Sequence, residues 1–362
     1  YVFLTHFSNE MFFSLHPMTP MTSESTKINP EQLDRERIEK LLEVLPSFAL
    51  LAGLQLGLFT TLDRGSATAI ELAGIIGVNK RRLRELLHAL TSIQLLKIEQ
   101  DATPTGESAT NEKEVRFRNS VEASRFLVSG KPSYVGGHED LLAIVWEAAL
   151  KSADSIRAGQ PKARKDFARM PEEELARFLG GLHLGAVERG REMASTKWLG
   201  NYRRVADIGG GSGGLAIGLA KELPHLQATV FELPSVTNIT QKFVSQADVA
   251  TRIDILPVDF GPNSNKNSLD KEFLSQKFDA ATMVSFIQVL SPEHASRAIV
   301  ESFDILRPGG SIYIIGVGIL DDNRITPVNG SLFNLIFSSI YEDGRSYTIS
   351  EHRNWLNKAG FK

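Results

Sequence analysis

Val205-Ala-Asp-Ile-Gly-Gly-Gly-Ser-Gly-Gly214 decides the fold. Val205–Ile208 reads as a short buried strand. The glycines after it let the backbone turn tightly and approach a ligand with no Cβ in the way. A helix is expected from Leu215 to Leu223, then a strand at Ala228–Glu232, a helix at Val236–Ala247 and a strand at Ile253–Pro257. A strand at Phe278–Val284 follows, then a helix at Pro292–Leu306, a turn at Pro308-Gly-Gly310 and a strand at Ser311–Ile315. Strands alternating with helices imply an α/β fold with a parallel, doubly wound sheet. Its ligand belongs at the carboxyl ends of the strands, near the point where strand order reverses.

Glu232 ends the second of these strands, 23 residues after Gly209. A carboxylate there can accept hydrogen bonds from both ribose hydroxyls of a nucleoside. The plainer account, a glycine turn with no ligand, is weakened because loop and carboxylate occur together in one strand–helix–strand unit. Gly209-x-Gly211-x-x-Gly214 also satisfies the dinucleotide fingerprint, so NAD is a competitor. Against NAD stand the position of the loop far into the chain and Asp259-Phe260 just after the third strand. There a carboxylate can reach an adenine amino group and a ring can cover the base.

Upstream the pattern is helical from Asn29 to about Glu99. Leu41, Leu42, Leu45, Phe48, Leu51, Ala52, Leu54 and Leu58 recur at three- and four-residue spacing, as on one buried face. Thr68–Asn79 reads as a helix and a glycine turn, and Lys80–Leu95 as a second helix with Leu83, Leu86, Leu87 and Leu90 in one stripe. With a short strand at Val115–Arg118, this is winged-helix grammar. Lys80-Arg-Arg82 and Arg84 could face DNA, but a solvated face opposite the leucines is favoured. Residues 120–200 read as mostly helical, shaping a cleft. The 362 residues carry a net charge of -3, which gives no footprint for nucleic acid. No cysteine is present, so thiolate metal sites and disulfides are excluded, and no metal site is expected. No apolar run spans a bilayer. A cytoplasmic location is expected.

Ordered segments make the reading specific. They are Leu54-Gln-Leu-Gly-Leu-Phe-Thr-Thr-Leu62, Glu71-Leu-Ala-Gly-Ile-Ile-Gly-Val78, the glycine loop, Val230-Phe-Glu-Leu-Pro-Ser-Val236, Asp259-Phe260, Leu306-Arg-Pro-Gly-Gly310 and Ala359-Gly-Phe361. Residues 38–361 resemble the small-molecule O-methyltransferases of the plant caffeate and bacterial hydroxyneurosporene or acetylserotonin type. The resemblance implies a class I methyltransferase Rossmann-like domain behind an all-α winged-helix dimerisation domain, and a homodimer. It implies S-adenosylmethionine as methyl donor, S-adenosylhomocysteine as product, and a small, hydrophobic or aromatic secondary metabolite as acceptor. The donor-binding set is Asp207, Gly209, Gly211, Glu232, Leu233, Asp259, Phe260 and Ser285. Expected boundaries are 1–27 for a disordered or non-native extension, 28–120 for the dimerisation domain, 121–200 for a helical connector and 201–362 for the donor domain, with a C-terminus cut short.

The catalytic position departs from the resembled family. Phenol-methylating members carry a histidine after the strand equivalent to Phe278–Val284; without gaps, Gln288 stands there. Glutamine can orient an acceptor but takes no proton at neutral pH. The two supporting glutamates read as Gly316 and Ser346. Three readings stay open: an acceptor that is already anionic, or a carbon; another base, from His138, His183 and His294; or a pericyclase-like enzyme that binds the donor without transferring methyl. A DNA-binding regulator is a further alternative.

Overall fold

The computed structural model describes residues 2–4, 30–99, 115–131, 133–167, 169–196, 199, 201–260 and 277–362. The chain divides into two compact units, one ending at Ala143 and the other holding the extreme N-terminal strand with everything from Ile144 onward. Each is described by itself.

That N-terminal strand, β1 (Val2–Leu4), pairs in parallel with Tyr313–Ile315. Part of the segment set aside at 1–27 is thus ordered; residues 5–27 lie outside the described residues.

The helical unit runs α1 (Pro30–Leu42), α2 (Leu45–Gln55), α3 (Leu58–Leu62), β2 (Ala67–Thr68), α4 (Ala69–Ile76), α5 (Lys80–Ser92), β3 (Leu96–Glu99), β4 (Arg116–Asn119) and α6 (Val121–Phe126). The helix-turn-helix forms for local reasons. Thr68 caps α4 through a capping box with Glu71, Gly77 closes it at φ 72°, and Asn79 caps α5 by accepting from the Arg82 N–H. Leu83, Leu87 and Leu90 are buried, while Lys80, Arg81 and Arg82 are exposed. Two expectations are corrected here. The unit is not all-α: β2, β4 and β3 form a small antiparallel sheet. The helical pattern does not reach Glu99, because Gln94 adopts φ 64°, α5 ends at Ser92, and Leu96–Glu99 pairs with β4. The long apolar stripe is corrected as well. Leu51, Leu54 and Leu58 are buried, but Leu41, Leu42, Leu45 and Phe48 are exposed within the chain.

The second unit takes up α7 (Glu139–Leu150) from Ile144, then α8 (Ser152–Ala158), α9 (Glu172–Ser195), β5 (Arg204–Ile208), α10 (Gly214–Glu222), β6 (Gln227–Glu232), α11 (Thr237–Ser245), β7 (Ile253–Pro257) and β8 (Phe278–Val284). It closes with α12 (Pro292–Ile305), β9 (Leu306–Ile315), β10 (Ile319–Leu320), α13 (Val328–Ile340), β11 (Tyr347–Thr348) and α14 (Ile349–Ala359). The main sheet has the order β1-β9-β8-β5-β6-β7, every pair parallel. It is the parallel, doubly wound arrangement expected from the sequence. The central strands are mostly apolar, as strands covered on both faces tend to be: Val205, Ala206 and Ile208 are all buried. The chain winds outward from β5 to β7, then crosses back to β8 on the other side of β5. The switch point therefore lies at the carboxyl end of β5, where the glycine loop begins. The expected turn at Pro308–Gly310 lies inside β9 instead. There Phe278 pairs with Leu306 and Ala280 with Ser311, so the ladder absorbs the extra residues as an irregularity.

Two close approaches hold the loop's helix in place. A Cβ at Gly214 would stand 2.8 Å from the Ala186 Cβ, and one at Gly218 would stand 2.9 Å from the Gly190 Cα. α9 and α10 thus meet backbone to backbone, which fixes where α10 starts and hence where the loop stands.

Candidate functional site

The carboxyl ends of β5, β6, β7 and β8 bring together most of the residues singled out from the sequence. Gly209 and Gly211 have φ 68° and 56°, in the left-handed region that only glycine enters freely. The Gly209 N–H donates to the Phe231 carbonyl at 2.8 Å, tying the loop to β6. Glu232 binds the loop again: its carboxylate accepts from the Gly211 N–H and the Leu233 N–H, each at 2.8 Å. Thr240 on α11 donates its hydroxyl to the Gly211 carbonyl at 2.6 Å. Val258 donates to the Glu232 carbonyl at 2.7 Å, which holds Asp259, half-buried, beside the same strand tip.

Asp207 lies beneath the loop, 1% exposed. One carboxylate oxygen accepts from the Thr282 hydroxyl at 3.0 Å; the other has no hydrogen-bond partner. Burial pushes its carboxyl up to about 7, the Thr282 bond opposes this, and the neighbouring Glu232 adds to it. Glu232 is itself raised by burial, against the lowering effect of its two backbone bonds. The crevice is thus a place where negative charge is costly and a cation would be welcome.

Phe260 departs from expectation. Its ring is 4% exposed in the core and meets Phe286 edge to face, with centroids 5.8 Å apart, so it does not stand open above a base. Its carbonyl accepts from Arg297 at 2.6 Å. Phe286 was missed by sequence reasoning. Its ring occupies the space a Cβ on Gly209 would need, so it fixes the loop from the β8 side. Ser285 follows β8 directly with φ 52°, a costly conformation outside glycine, and its N–H donates to the Ile315 carbonyl at 2.7 Å. Gln288 sits in the short turn after it, 7% exposed. It is walled by glycine: built Cβ atoms would lie 3.5 Å from its Oε1 at Gly316 and 3.3 Å at Gly318, and 2.5 Å from its carbonyl at Gly344. Ser346 is buried and tied to Asn334 and Gly330.

Residues 168–362 match the family profile of the O-methyltransferase domain, and residues 39–129 match the O-methyltransferase dimerisation domain. The chain belongs to the O-methyltransferase family. A 3-hydroxy-5-methyl-1-naphthoate 3-O-methyltransferase of Streptomyces sahachiroi is 30% identical to this methyltransferase, over 86% of this chain and 84% of its own. A tetracenomycin polyketide synthesis 8-O-methyl transferase of Streptomyces glaucescens is 28% identical over 87% of each. The crystal structure of human N-acetylserotonin methyltransferase in complex with S-adenosylmethionine has the same fold, with a TM-score of 0.72, 20% identity and 94% of each chain covered. The enzyme is an S-adenosylmethionine-dependent methyltransferase, and the dinucleotide alternative falls away.

In this methyltransferase two of the histidines named as candidate bases each share a hydrogen bond with a serine through Nδ1. His183 Nδ1 and the Ser212 hydroxyl share a hydrogen bond of 2.9 Å, and its ring stacks on Phe243 at 4.4 Å; burial lowers its pKa. It braces the glycine loop. His294 bonds Ser291, the cap of α12, at 2.8 Å. His138 falls in the short turn Gly136–His138 of the other unit, and its side chain lies outside the described residues.

Proposed function

We propose that this enzyme transfers the methyl group of S-adenosylmethionine to an oxygen of a small aromatic, polyketide-like secondary metabolite. The substrate class rests on the names of the Streptomyces relatives. The site reading rests on one observation: Glu232 at the tip of β6 tied to the side-chain-free loop after β5. The residues suit the donor. Asp207 has an orphaned buried oxygen and a carboxyl that burial raises to about 7, and a cationic donor with two ribose hydroxyls would offset that cost. Asp207, Gly209, Gly211, Glu232, Leu233, Asp259 and Ser285 are assigned to the donor, with Phe260 backing the pocket from the core. When bound, the donor supplies a methyl already activated by sulfonium charge. The chain then has to hold acceptor oxygen, methyl carbon and sulfur close to one line, which is catalysis by proximity. Gln288 is assigned to orienting the acceptor.

The enzyme is read as a homodimer through the N-terminal domain. Ile38, Leu41, Leu42, Leu45 and Phe48 present exposed apolar surface there. No nucleic-acid partner is assigned. No described helix is long and apolar enough to cross a membrane, and a cytoplasmic location is proposed.

Methyl-labelled donor incubated with hydroxynaphthoates tests the reading. Label should appear as a methyl ether. Glu232→Ala should weaken the donor by about tenfold or more, the scale of a hydrogen bond to a charged group. Label in no ether, or unchanged donor affinity in the variant, contradicts it.

A further inference from the structure

Gln288 ends in an amide that no described residue satisfies, although the residue is 7% exposed. The amide tip is not fully buried, so it is open to solvent and can meet a ligand oxygen. Among the described residues of this unit, no histidine stands unbonded at the strand tips, and Asp259 there is assigned to the donor. Gly316 and Gly318 bring only backbone to it from the end of β9. On the segment after α13, Tyr341 is held protonated by burial, Glu342 and Asp343 face solvent, and Arg345 pairs with Glu351 at 2.9 Å. Across the crevice both Glu232 oxygens hold backbone N–H groups, and Asp207 is sealed under the glycine loop. In this unit His183, His294 and His352 are hydrogen-bonded to Ser212, Ser291 and the Thr348 carbonyl. His225 is exposed just before β6, at the opposite end of the sheet.

We infer that this site takes acceptors whose oxygen is already anionic at neutral pH, and that the Gln288 amide donates to that oxygen and orients it. The inference rests on the donor-site reading above. It names a chemical class: enols of 1,3-dicarbonyls, hydroxyquinones, and phenols acidified by a conjugated carbonyl. The acceptor oxygen forms its bond to the methyl carbon as the carbon–sulfur bond breaks and that electron pair returns to sulfur. A neutral ether and a neutral thioether result, no proton is released, and no general base is required. A donor N–H suits this oxygen, because a hydrogen bond to a charged acceptor is roughly twice as strong as one to a neutral group.

The test uses the full-length protein saturated with S-adenosylhomocysteine and two probes of similar shape. At neutral pH 2-hydroxy-1,4-naphthoquinone is ionised and 2-naphthol is not. Calorimetry should show the quinone binding about tenfold or more tightly than the naphthol. Gln288→Leu should lose that preference, and Gln288→Glu, of equal size but charged, should reject the quinone. Both variants should keep wild-type affinity for S-adenosylhomocysteine, which certifies the fold and the donor site. With labelled donor, quinone turnover should stay flat above the probe's own ionisation. Naphthol turnover should climb about tenfold per pH unit, following its own ionisation with no protein group titrating. Equal affinity for the probes with pH-independent turnover of the naphthol overturns the inference, and so does failure of both probes to bind where S-adenosylhomocysteine binds. Failure of S-adenosylhomocysteine itself to bind overturns the donor-site reading beneath it, and is seen separately.

Discussion

A carboxylate buried without a counterion opposes folding whenever it is charged, and Asp207 is such a group. Its folded pKa, near 7, lies above the ordinary aspartate value of 3.8. Between those values the folded chain holds a proton that the unfolded chain has released. Stability of the donor-free enzyme should therefore fall as pH rises from about 4 to 7 and level off above, with a slope of up to about 1.4 kcal/mol per pH unit. Asp207→Asn should flatten that slope in urea titrations at successive pH values; an unchanged slope would show that Asp207 does not carry it. At this scale the sequence disclosed Glu232 and the glycines, because strand, loop and carboxylate are spaced by local geometry. It did not disclose Phe286, whose contact with Gly209 spans 77 residues and leaves no periodic trace. Nor did it disclose the positive φ of Ser285, since serine carries no signature for that conformation.

Among the elements, the α9–α10 crossing sets the position of the loop. Gly218 and Gly190 allow it, and the atoms a Cβ would strike are backbone, so they cannot swing aside. Gly218→Ala gains up to about 1 kcal/mol in helix propensity. Overpacking against fixed backbone costs typically 1–3 kcal/mol. The clash should win, with a net loss of about 1–2 kcal/mol, read as a lower midpoint in denaturant; a stabilised variant would mean that the helices separate freely. The strands around the switch point were legible because each is a short apolar run bounded by glycine, proline or charge. β3 was not legible: Leu96–Glu99 continues a leucine-rich helical pattern, and only the pairing with β4 makes it a strand. The Pro308–Gly310 segment misled in the other direction, because a turn signal was overridden by the ladder with β8.

For the molecule as a whole, the apolar stripe through α1 and α2 was legible as hydrophobic but not as exposed. Periodicity shows that one face avoids water; it does not show whether that face meets its own chain or another copy. Leu41 and Leu45 are 72% and 78% exposed in the single chain. If they meet a second copy, Leu45→Glu should convert the dimer to monomer in sedimentation equilibrium and leave the helical unit's midpoint little changed. A dimer of wild-type strength would place the interface elsewhere.

The most direct measurement is a crystal structure of the full chain with S-adenosylhomocysteine. The account predicts the ribose hydroxyls on the Glu232 carboxylate, the adenine beside Asp259, and the sulfur over the glycine loop on the side of Ser285 and Gln288. Homocysteine and nucleoside bound away from the tips of β5 and β6, or a crevice left empty at saturating ligand, would contradict it.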